Sequence, residues 1–139
     1  MHEKKLSCIL LVDDDADAIF FHQNTLIGMK CTEKIVVAER AEKAIAILRT
    51  AIERGNDIPD IIFLDINMPG MNGWQFLEEF AKLDEQATAR IVVMMLTSSQ
   101  NPDDRIKADE NKYVRGYVEK FLTNEITEDI ISKYFPDNR

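Results

Sequence analysis

The sequence predicts a doubly wound α/β sandwich built on one parallel sheet. Three observations support this prediction: five short apolar runs recur along the chain, segments with helical spacing separate them, and the connections are short. The apolar runs lack polar alternation, as expected for strands that are buried on both faces of a parallel sheet. They occupy residues 8–12, 35–38, 61–64, 91–96 and 116–118.

The first two helices follow the first two apolar runs. The first begins in an acidic segment where Asp15 and Asp17 suit a first helical turn. Its His22 is expected to be structural or exposed. Its apolar residues are expected to pack in the core, with a patch for a partner on this helix as the alternative: Ile19, Phe20, Phe21, Leu26 and Ile27. The second helix, about 42–54, places its apolar residues on one stripe that should pack against the sheet. Gly55 and Asn56 then end it.

Three further helices complete the alternation. The third, about 74–83, repeats the apolar spacing with Phe76, Leu77, Phe80 and Leu83. Asn101 followed by Pro102 is a natural cap and first helical position for a short fourth helix through about residue 110. The fifth helix runs over about 124–134 and should turn Ile126, Ile130 and Tyr134 inward.

Length and charge limit the classes of protein to consider. The 139 residues, 45% of them hydrophobic, suit one globular domain, so we expect a single domain over 1–139 with an ordered core of about 5–136 and no output domain. Acidic residues number 25 against 17 basic ones, which gives a formal charge of −8. Such a chain repels nucleic-acid phosphates, so we expect no nucleic-acid partner.

The apolar and cysteine patterns indicate a cytoplasmic protein. No uncharged apolar stretch approaches the roughly 20 residues that span a bilayer, and the apolar run after the charged start is too short for a signal peptide. Cys8 and Cys31 show neither metal-ligand spacing nor a CxxC pair. We therefore expect no membrane partner, no zinc site and no thioredoxin-type redox site.

Polar and charged side chains follow several of the predicted strands, where ligands bind in this architecture. The first strand is followed by three aspartates, the third by Asp65, the fourth by a hydroxyl-rich segment, and the fifth by an acid and a lysine. In full, these residues are Asp13, Asp14, Asp15, Asp65, Thr97, Ser98, Ser99, Glu119 and Lys120.

The acidic part of this set favours a magnesium site. Carboxylates within ~4 Å of each other would repel by roughly 4 kcal/mol per pair at an effective dielectric near 20, so they need a cation. Mg²⁺ prefers oxygen ligands, one or two carboxylates and a substrate phosphate. The chain has no Gly-rich phosphate loop, so Thr97 and Lys120 are the groups that would contact phosphoryl oxygens. Asp65 is then interpreted as the nucleophile of an aspartyl-phosphate intermediate.

Four motifs at successive strand ends resemble a bacterial two-component response-regulator receiver domain of the single-domain, chemotaxis type. They are LVDD at 11–14, LDINMPGMNG at 64–73, LTSS at 96–99 and GYVEK at 116–120. Each motif alone is modest, but the four in this order are specific, and the resemblance covers nearly the whole chain. It implies a flavodoxin-like (βα)5 three-layer sandwich with a five-stranded parallel sheet of order 2-1-3-4-5.

The resemblance also implies roles for individual residues. Asp65 would be the phosphoacceptor, and Thr97 and Lys120 would contact the phosphoryl group. Mg²⁺ would be held by Asp13 or Asp14, by Asp65 and by the backbone carbonyl of Asn67. Tyr117 would be an aromatic switch residue that follows the Thr97 hydroxyl. Ser99, together with Asn67, would influence the lifetime of the phosphorylated state.

Partners and chemistry follow from the same resemblance. A sensor histidine kinase or a histidine phosphotransfer protein would donate the phosphoryl group. A downstream protein would bind the face formed by the fourth helix, the fifth strand and the fifth helix, and a homodimer is possible. The protein would be no enzyme in the usual sense, but a phosphoacceptor that assists its own Mg²⁺-dependent phosphorylation and dephosphorylation.

One residue departs from the family pattern. Receivers usually carry a proline after the lysine, with a cis peptide bond between them, whereas Phe121 follows Lys120 here. A cis bond before a non-proline residue costs ~2.5 to 4 kcal/mol. We therefore expect a trans Lys120–Phe121 peptide, or else a strained cis one, with the following loop reshaped.

Three other functions remain open at this stage. The chain could be a phosphorelay intermediate that passes its phosphoryl group onward, or a phosphorylation-independent interaction module, which Phe121 prompts. Asp13 and Asp15 also match superficially the Asp-x-Asp spacing of haloacid dehalogenase-type phosphatases. Such enzymes need a longer chain than this one.

Overall fold

Five parallel strands form one sheet in the order β2-β1-β3-β4-β5. A computed structural model describes residues 5–98 and 101–138. The strands are β1 (Ile9–Val12), β2 (Ile35–Ala38), β3 (Ile61–Asp65), β4 (Val92–Thr97) and β5 (Val114–Glu119). The helices are α1 (Ala16–Met29), α2 (Ala41–Arg54), α3 (Gly73–Phe80), α4 (Glu85–Thr88), α5 (Pro102–Glu110) and α6 (Asn124–Tyr134), and a 3-10 turn at Pro136–Asn138 follows.

The sheet separates two apolar cores, which confirms the doubly wound sandwich. In β1, Leu10 and Val12 face one core while Ile9 and Leu11 face the other, because successive side chains of a strand point to opposite faces. Helices α2, α3 and α5 cover the first core, and α1 and α6 cover the second. Both faces of the sheet are therefore buried, as the unbroken apolar runs predicted.

Strand β5 is longer than the sequence predicted. It begins at Val114 and ends at Glu119, whereas only 116–118 were expected. As an edge strand it exposes Arg115 and Glu119, and these charged ends interrupt the apolar pattern that the prediction relied on.

The structure contains one short helix that the sequence did not predict. Helix α3 ends at Phe80 rather than near residue 83, and α4 follows it after the cap residue Asp84, whose side chain accepts a hydrogen bond from Gln86 N. A single helical turn is too short to show an apolar period. None of the helices within 5–98 and 101–138 is long and apolar enough to cross a bilayer.

Helix α1 does not bury the residues that the sequence predicted. Leu26 is buried, but Phe20, Phe21 and Ile27 are 68%, 44% and 62% exposed. The buried stripe consists instead of Ala18, His22 and Leu26, which lie four residues apart on one face. The prediction for the aromatic residues is therefore wrong, because the helix faces the sheet with a different side.

Helix α3 begins very close to the end of β3. A Cβ atom on Gly73 would lie 2.9 Å from the carbonyl oxygen of Asp65 and from Cα of Ile66, so a larger residue would push the two segments apart. The Gly73 N–H donates to the Ile66 carbonyl at 2.8 Å, and Asn72 with Gln75 forms a capping box. This contact holds the loop after Asp65 against the protein body.

Candidate functional site

Two buried aspartates lie side by side at the carboxyl edge of the sheet. Asp65 is the last residue of β3, and Asp13 follows β1, which pairs with β3 in register. The Asp13 N–H donates to the Ala38 carbonyl of β2 at 3.1 Å, so the residue is held by the neighbouring strand on its other side as well. Asp13 is 4% and Asp65 5% exposed.

A third carboxylate completes an acidic cluster. Oxygen atoms of Asp13, Asp14 and Asp65 all lie within 4.8 Å of one another, and Asp14 is exposed to solvent. Asp15 is not a member of this group, since it caps α1 and its side chain accepts hydrogen bonds from Asp17 N and Ala18 N. This confirms the helix-cap interpretation of Asp15, the second acid of the Asp-x-Asp spacing.

Lys120 supplies the positive charge of the site. Its ammonium lies 3.0 Å from Asp13 Oδ2 and 3.6 Å from Asp65 Oδ2. Burial lowers the pKa of Lys120, but contact with Asp13 and the charges of Asp65 and Asp15 outweigh it, so its pKa lies above the usual value. The lysine is therefore charged at neutral pH.

The pKa of Asp65 differs strongly from that of an ordinary aspartate. Burial and then the nearby Asp13 carboxylate raise it from 3.8 to about 6, although Lys120 and the backbone N–H of Asn67 oppose the shift. The Asn67 N–H donates to Asp65 Oδ1 at 3.4 Å. At neutral pH most Asp65 side chains are thus ionised, but the charge is poorly compensated.

The cluster fits a divalent cation. One ammonium faces two buried carboxylates and one exposed carboxylate, which leaves a local excess of negative charge. Apart from its ion pair with Lys120, the buried Asp13 Oδ2 accepts no hydrogen bond from the described part of the chain. Closely spaced carboxylates with a single ammonium between them are suited to a hard cation that binds oxygen ligands.

Thr97 and Tyr117 occupy the ends of β4 and β5 next to this cluster. Thr97 is fully buried, and its carbonyl accepts from Lys120 N at 3.0 Å. Burial and the charge of Asp104 raise the pKa of the Tyr117 phenol, whereas the Arg105 charge and the neighbouring Thr97 side chain oppose the shift. The Arg105 guanidinium lies 5.2 Å from the centre of the Tyr117 ring, so the ring also contacts α5.

Only some of the other predicted residues lie next to the acidic cluster. The Asn67 backbone lies beside Asp65 through the hydrogen bond above, while Ser98 is exposed. Ser99, which was expected to influence the phosphoryl lifetime, lies outside the described residues. The predicted face of the fourth helix, fifth strand and fifth helix corresponds to α5, β5 and α6, where Ile106 is 53% exposed.

The peptide between Lys120 and Phe121 is cis, so the preference for a trans bond is wrong. Hydrogen bonds hold the backbone on both sides of it. Lys120 N donates to Thr97 O at 3.0 Å, and Leu122 N donates to His22 Nε2 at 3.1 Å. The backbone of this loop is therefore held by contacts with β4 and α1. These contacts join residues that are distant in sequence, so no local pattern predicts them.

His22 is the neighbouring residue whose position the sequence analysis left open. It is 1% exposed and lies on the buried stripe of α1. Its four-residue spacing from Ala18 and Leu26 was the available signal, but the more numerous aromatic residues on the same helix obscured it. The imidazole contacts the segment that follows Lys120 rather than the carboxylates themselves.

Comparison with known proteins identifies relatives over most of the chain. Residues 9–132 match the family described as response regulator receiver domain. The chain is 26% identical to protein PilH of Pseudomonas aeruginosa over 117 residues, which cover 84% of this chain and 88% of PilH. It is 34% identical to the two-component response regulator ARR14 of Arabidopsis thaliana over 76 residues, which cover 55% of this chain but only 18% of ARR14.

A solved structure shows the same fold. The two-component response regulator from Cytophaga hutchinsonii superimposes with a TM-score of 0.88 and 31% sequence identity, covering 96% of this chain and 99% of that one. The family match over residues 9–132 includes the strand ends that carry the acidic cluster and Lys120.

Proposed function

The chain belongs to the response regulator receiver domain family, and on this basis we propose that it is a phosphorylation-controlled signalling switch whose phosphoacceptor is Asp65. The observation that carries the proposal is the setting of this carboxylate. It is buried at the end of β3, beside two further carboxylates and with the Lys120 ammonium 3.6 Å away. A nucleophile and a positive charge are thus adjacent at one edge of the sheet.

The proposed reaction is phosphoryl transfer from a phosphohistidine to Asp65. A carboxylate oxygen forms a new bond to phosphorus as the bond from phosphorus to the histidine nitrogen breaks, and the donor histidine leaves with that electron pair. Water later attacks the phosphorus, which releases inorganic phosphate and regenerates the carboxylate. Asp65 must be ionised to act as the nucleophile, and its pKa of about 6 leaves it mainly so at neutral pH.

Lys120 and Thr97 are proposed to contact the phosphoryl oxygens. The lysine ammonium already bridges Asp13 and Asp65, so it can follow the negative charge that moves onto the transferred group. The Thr97 hydroxyl can donate one hydrogen bond. In this scheme the protein acts as a phosphoacceptor that assists its own modification, rather than as an enzyme with a separate substrate.

We propose Mg²⁺ as the cation of the acidic cluster. Its protein ligands would be the carboxylates of Asp13, Asp14 and Asp65 and the backbone carbonyl of Asn67. The family resemblance suggests this set, and the spacing of the three carboxylates and their excess of negative charge over the Lys120 ammonium support it. When bound, Mg²⁺ supplies positive charge that offsets the carboxylates and the phosphoryl oxygens.

The proposed output passes through Thr97 and Tyr117. Thr97 lies at the end of β4, and the neighbouring Tyr117 side chain belongs to the face formed by α5, β5 and α6. A phosphoryl group that attracts the Thr97 hydroxyl would change this contact and the position of the Tyr117 ring. We propose that a sensor kinase or phosphotransfer protein is the donor in the cytoplasm, and that a downstream protein, or a second copy of the chain, binds this face.

Intact-mass analysis after incubation with Mg²⁺ and acetyl phosphate tests the proposal. The parent protein should gain one labile phosphoryl group, and Asp65→Asn should gain none. A matched control is Asp60→Asn, which makes the same chemical change just before the opposite end of β3 and should still be phosphorylated. A phosphoryl gain in Asp65→Asn, or none in folded parent protein, would contradict the proposal and favour a phosphorylation-independent interaction module.

A further inference from the structure

The loop after Lys120 is attached to helix α1 through a buried histidine. The N–H of Leu122 donates to Nε2 of His22 at 3.1 Å, across 100 positions of sequence, and both residues are buried. A nitrogen that accepts a hydrogen bond carries no proton, so the imidazole is neutral and its proton is on Nδ1.

The surroundings of His22 agree with the neutral form. Burial lowers its pKa below the usual value, and the positive charge of Lys120 acts in the same direction, whereas the carboxylates of Asp13 and Asp15 act against it. The ring therefore remains a hydrogen-bond acceptor at neutral pH.

An aromatic contact strengthens the attachment of the loop. The Phe121 ring lies 5.4 Å from the His22 ring and 5.1 Å from the Phe21 ring, which it meets at 88°. Edge-to-face pairs at this distance are favourable. Two successive loop residues, Phe121 and Leu122, thus both contact α1.

The other side of Lys120 is attached to the sheet. Its own N–H donates to the Thr97 carbonyl at 3.0 Å. The lysine backbone therefore lies between one anchor on β4 and a second on α1. Helix α1 begins at Ala16, only three residues after Asp13, so the second anchor connects the lysine loop to the helix that directly follows its carboxylate partner.

We propose that His22 is a positioning residue for Lys120: by accepting the Leu122 N–H, it holds the lysine loop on α1 and keeps the ammonium beside Asp13 and Asp65. The inference rests on the proposed phosphoryl transfer to Asp65. The proposed role differs from a purely structural one. Replacing a histidine that only filled space would change the stability of the protein but not the contribution of Lys120 to the rate of phosphorylation.

Two substitutions distinguish the effect of the hydrogen-bond acceptor on His22 from the effect of its side-chain volume. His22→Leu fills the space but removes the acceptor, whereas His22→Gln places an amide oxygen at a similar reach. With Mg²⁺ and acetyl phosphate, His22→Leu should gain the phosphoryl group about tenfold more slowly, because a small displacement of a positioned charge has a large effect on rate. His22→Gln should restore most of the rate.

Leu26→Ala provides the matched control for stability. Leu26 lies one turn further along the same buried stripe and belongs to the same apolar core as Leu122, but its side chain has no acceptor for the Leu122 N–H. It should lower the thermal midpoint yet retain the parent rate of phosphorylation. Equal slowing in this variant would show that general loosening, and not the position of Lys120, explains the His22 result.

A double-mutant cycle with Lys120→Gln gives the decisive readout. If His22 acts through Lys120, His22→Leu should have no further effect on the rate once the ammonium is absent. An equal slowing in both backgrounds, or a parent rate in His22→Leu, overturns the inference while the function of Asp65 stands. A folded parent protein that gains no phosphoryl group overturns both.

One further variant covers the case in which His22→Leu does not fold. His22→Asn keeps a polar side chain, but its shorter amide does not reach the Leu122 N–H. It should show the same slowing and the same dependence on Lys120. A parent rate in folded His22→Asn would overturn the inference.

Discussion

Helices α1 and α2 have the same length, fourteen residues, and lie on opposite faces of the sheet, yet they bury different kinds of residues. All five buried residues of α2 are apolar: Ala41, Ala44, Ile45, Leu48 and Ala51. Helix α1 buries only three residues, one of which is His22, and it exposes three large apolar side chains.

The difference follows from what each helix contacts. Helix α2 packs on the sheet through a continuous apolar stripe, so its contribution is burial of surface. Helix α1 follows Asp13 directly and accepts a hydrogen bond from the loop after Lys120, so its buried face includes a polar group with a specific partner. Helix α1, which directly follows Asp13, therefore buries fewer apolar side chains than α2 and instead makes a polar contact with the loop that carries Lys120.

The largest expected effect comes from removing apolar packing in α2. Leu48 is fully buried, so Leu48→Ala should lower the free energy of unfolding by about 2–5 kcal/mol. The rate of phosphorylation by acetyl phosphate, measured on folded protein, should not change. Urea unfolding followed by circular dichroism measures the first quantity, and intact mass measures the second.

Arg49→Ala is the control for this experiment. Arg49 is the next residue of α2, its side chain is largely exposed, and its 3.8 Å ion pair with Glu79 should contribute at most about 1 kcal/mol. If Leu48→Ala slowed phosphorylation as much as His22→Leu, the two helices would not differ in function and the comparison would be wrong.

A smaller effect on stability is expected from the poorly compensated charge of Asp65. Asp65 has a pKa of about 6 in the folded protein against 3.8 as its ordinary value. At a pH between these two pKa values, Asp65 is ionised in the unfolded chain but still largely protonated in the folded protein. Raising the pH through this range therefore favours unfolding. The stability of the parent protein should therefore fall as the pH rises from about 4 to 6, and remain lower above that.

Asp65→Asn tests directly whether ionisation of Asp65 destabilises the folded protein. Without Mg²⁺, the variant should be more stable than the parent by about 2–3 kcal/mol at pH 8, since one pKa unit corresponds to 1.36 kcal/mol. The two proteins should converge below pH 4. Urea unfolding at several pH values measures the difference, and Asp60→Asn, which removes a carboxylate that accepts from Ser7 N and Cys8 N, should bring no such gain. A constant difference across the pH range would contradict the expected cause.

Much of the fold was predictable because its signals are local. Unbroken apolar runs identified all five strands, and caps such as Asn101 before Pro102 marked helix starts. The carboxyl ends of parallel strands share one edge, so the acidic residues and Lys120 could be placed together without coordinates. The structure brings Asp13, Asp65 and Lys120 into contact at this edge.

What could not be predicted depends on contacts distant in sequence. The face that α1 turns to the sheet is decided by its neighbours, and five apolar residues at positions that share no single face gave no clear stripe. The hydrogen bond between His22 and Leu122 joins residues 100 positions apart. The conformation of the Lys120–Phe121 peptide belongs to this group too, because its flanking anchors lie on β4 and α1.

The smallest expected effect concerns the outer side of α1. Phe20 is 68% exposed, so Phe20→Ala should change the free energy of unfolding by no more than about 0.5 kcal/mol. Phe76, a phenylalanine on α3 that is fully buried, is the matched control, and Phe76→Ala should lower it by about 3–5 kcal/mol. The urea midpoints of both variants are compared with that of the parent protein. The elution volume of each folded protein in size-exclusion chromatography is measured alongside.

The result for Phe20 decides whether the low apolar burial of α1 holds in solution. A loss above 1 kcal/mol without a change in elution volume would mean that Phe20 packs within the chain, so α1 and α2 would bury apolar residues alike. A similar loss with a shift to a smaller species would mean that Phe20 packs against a second copy. A decrease in the free energy of unfolding of no more than about 0.5 kcal/mol would mean that the outer side of α1 adds little to stability. The helix then contributes to the fold and contacts the site through its inner face, where His22 lies between Ala18 and Leu26.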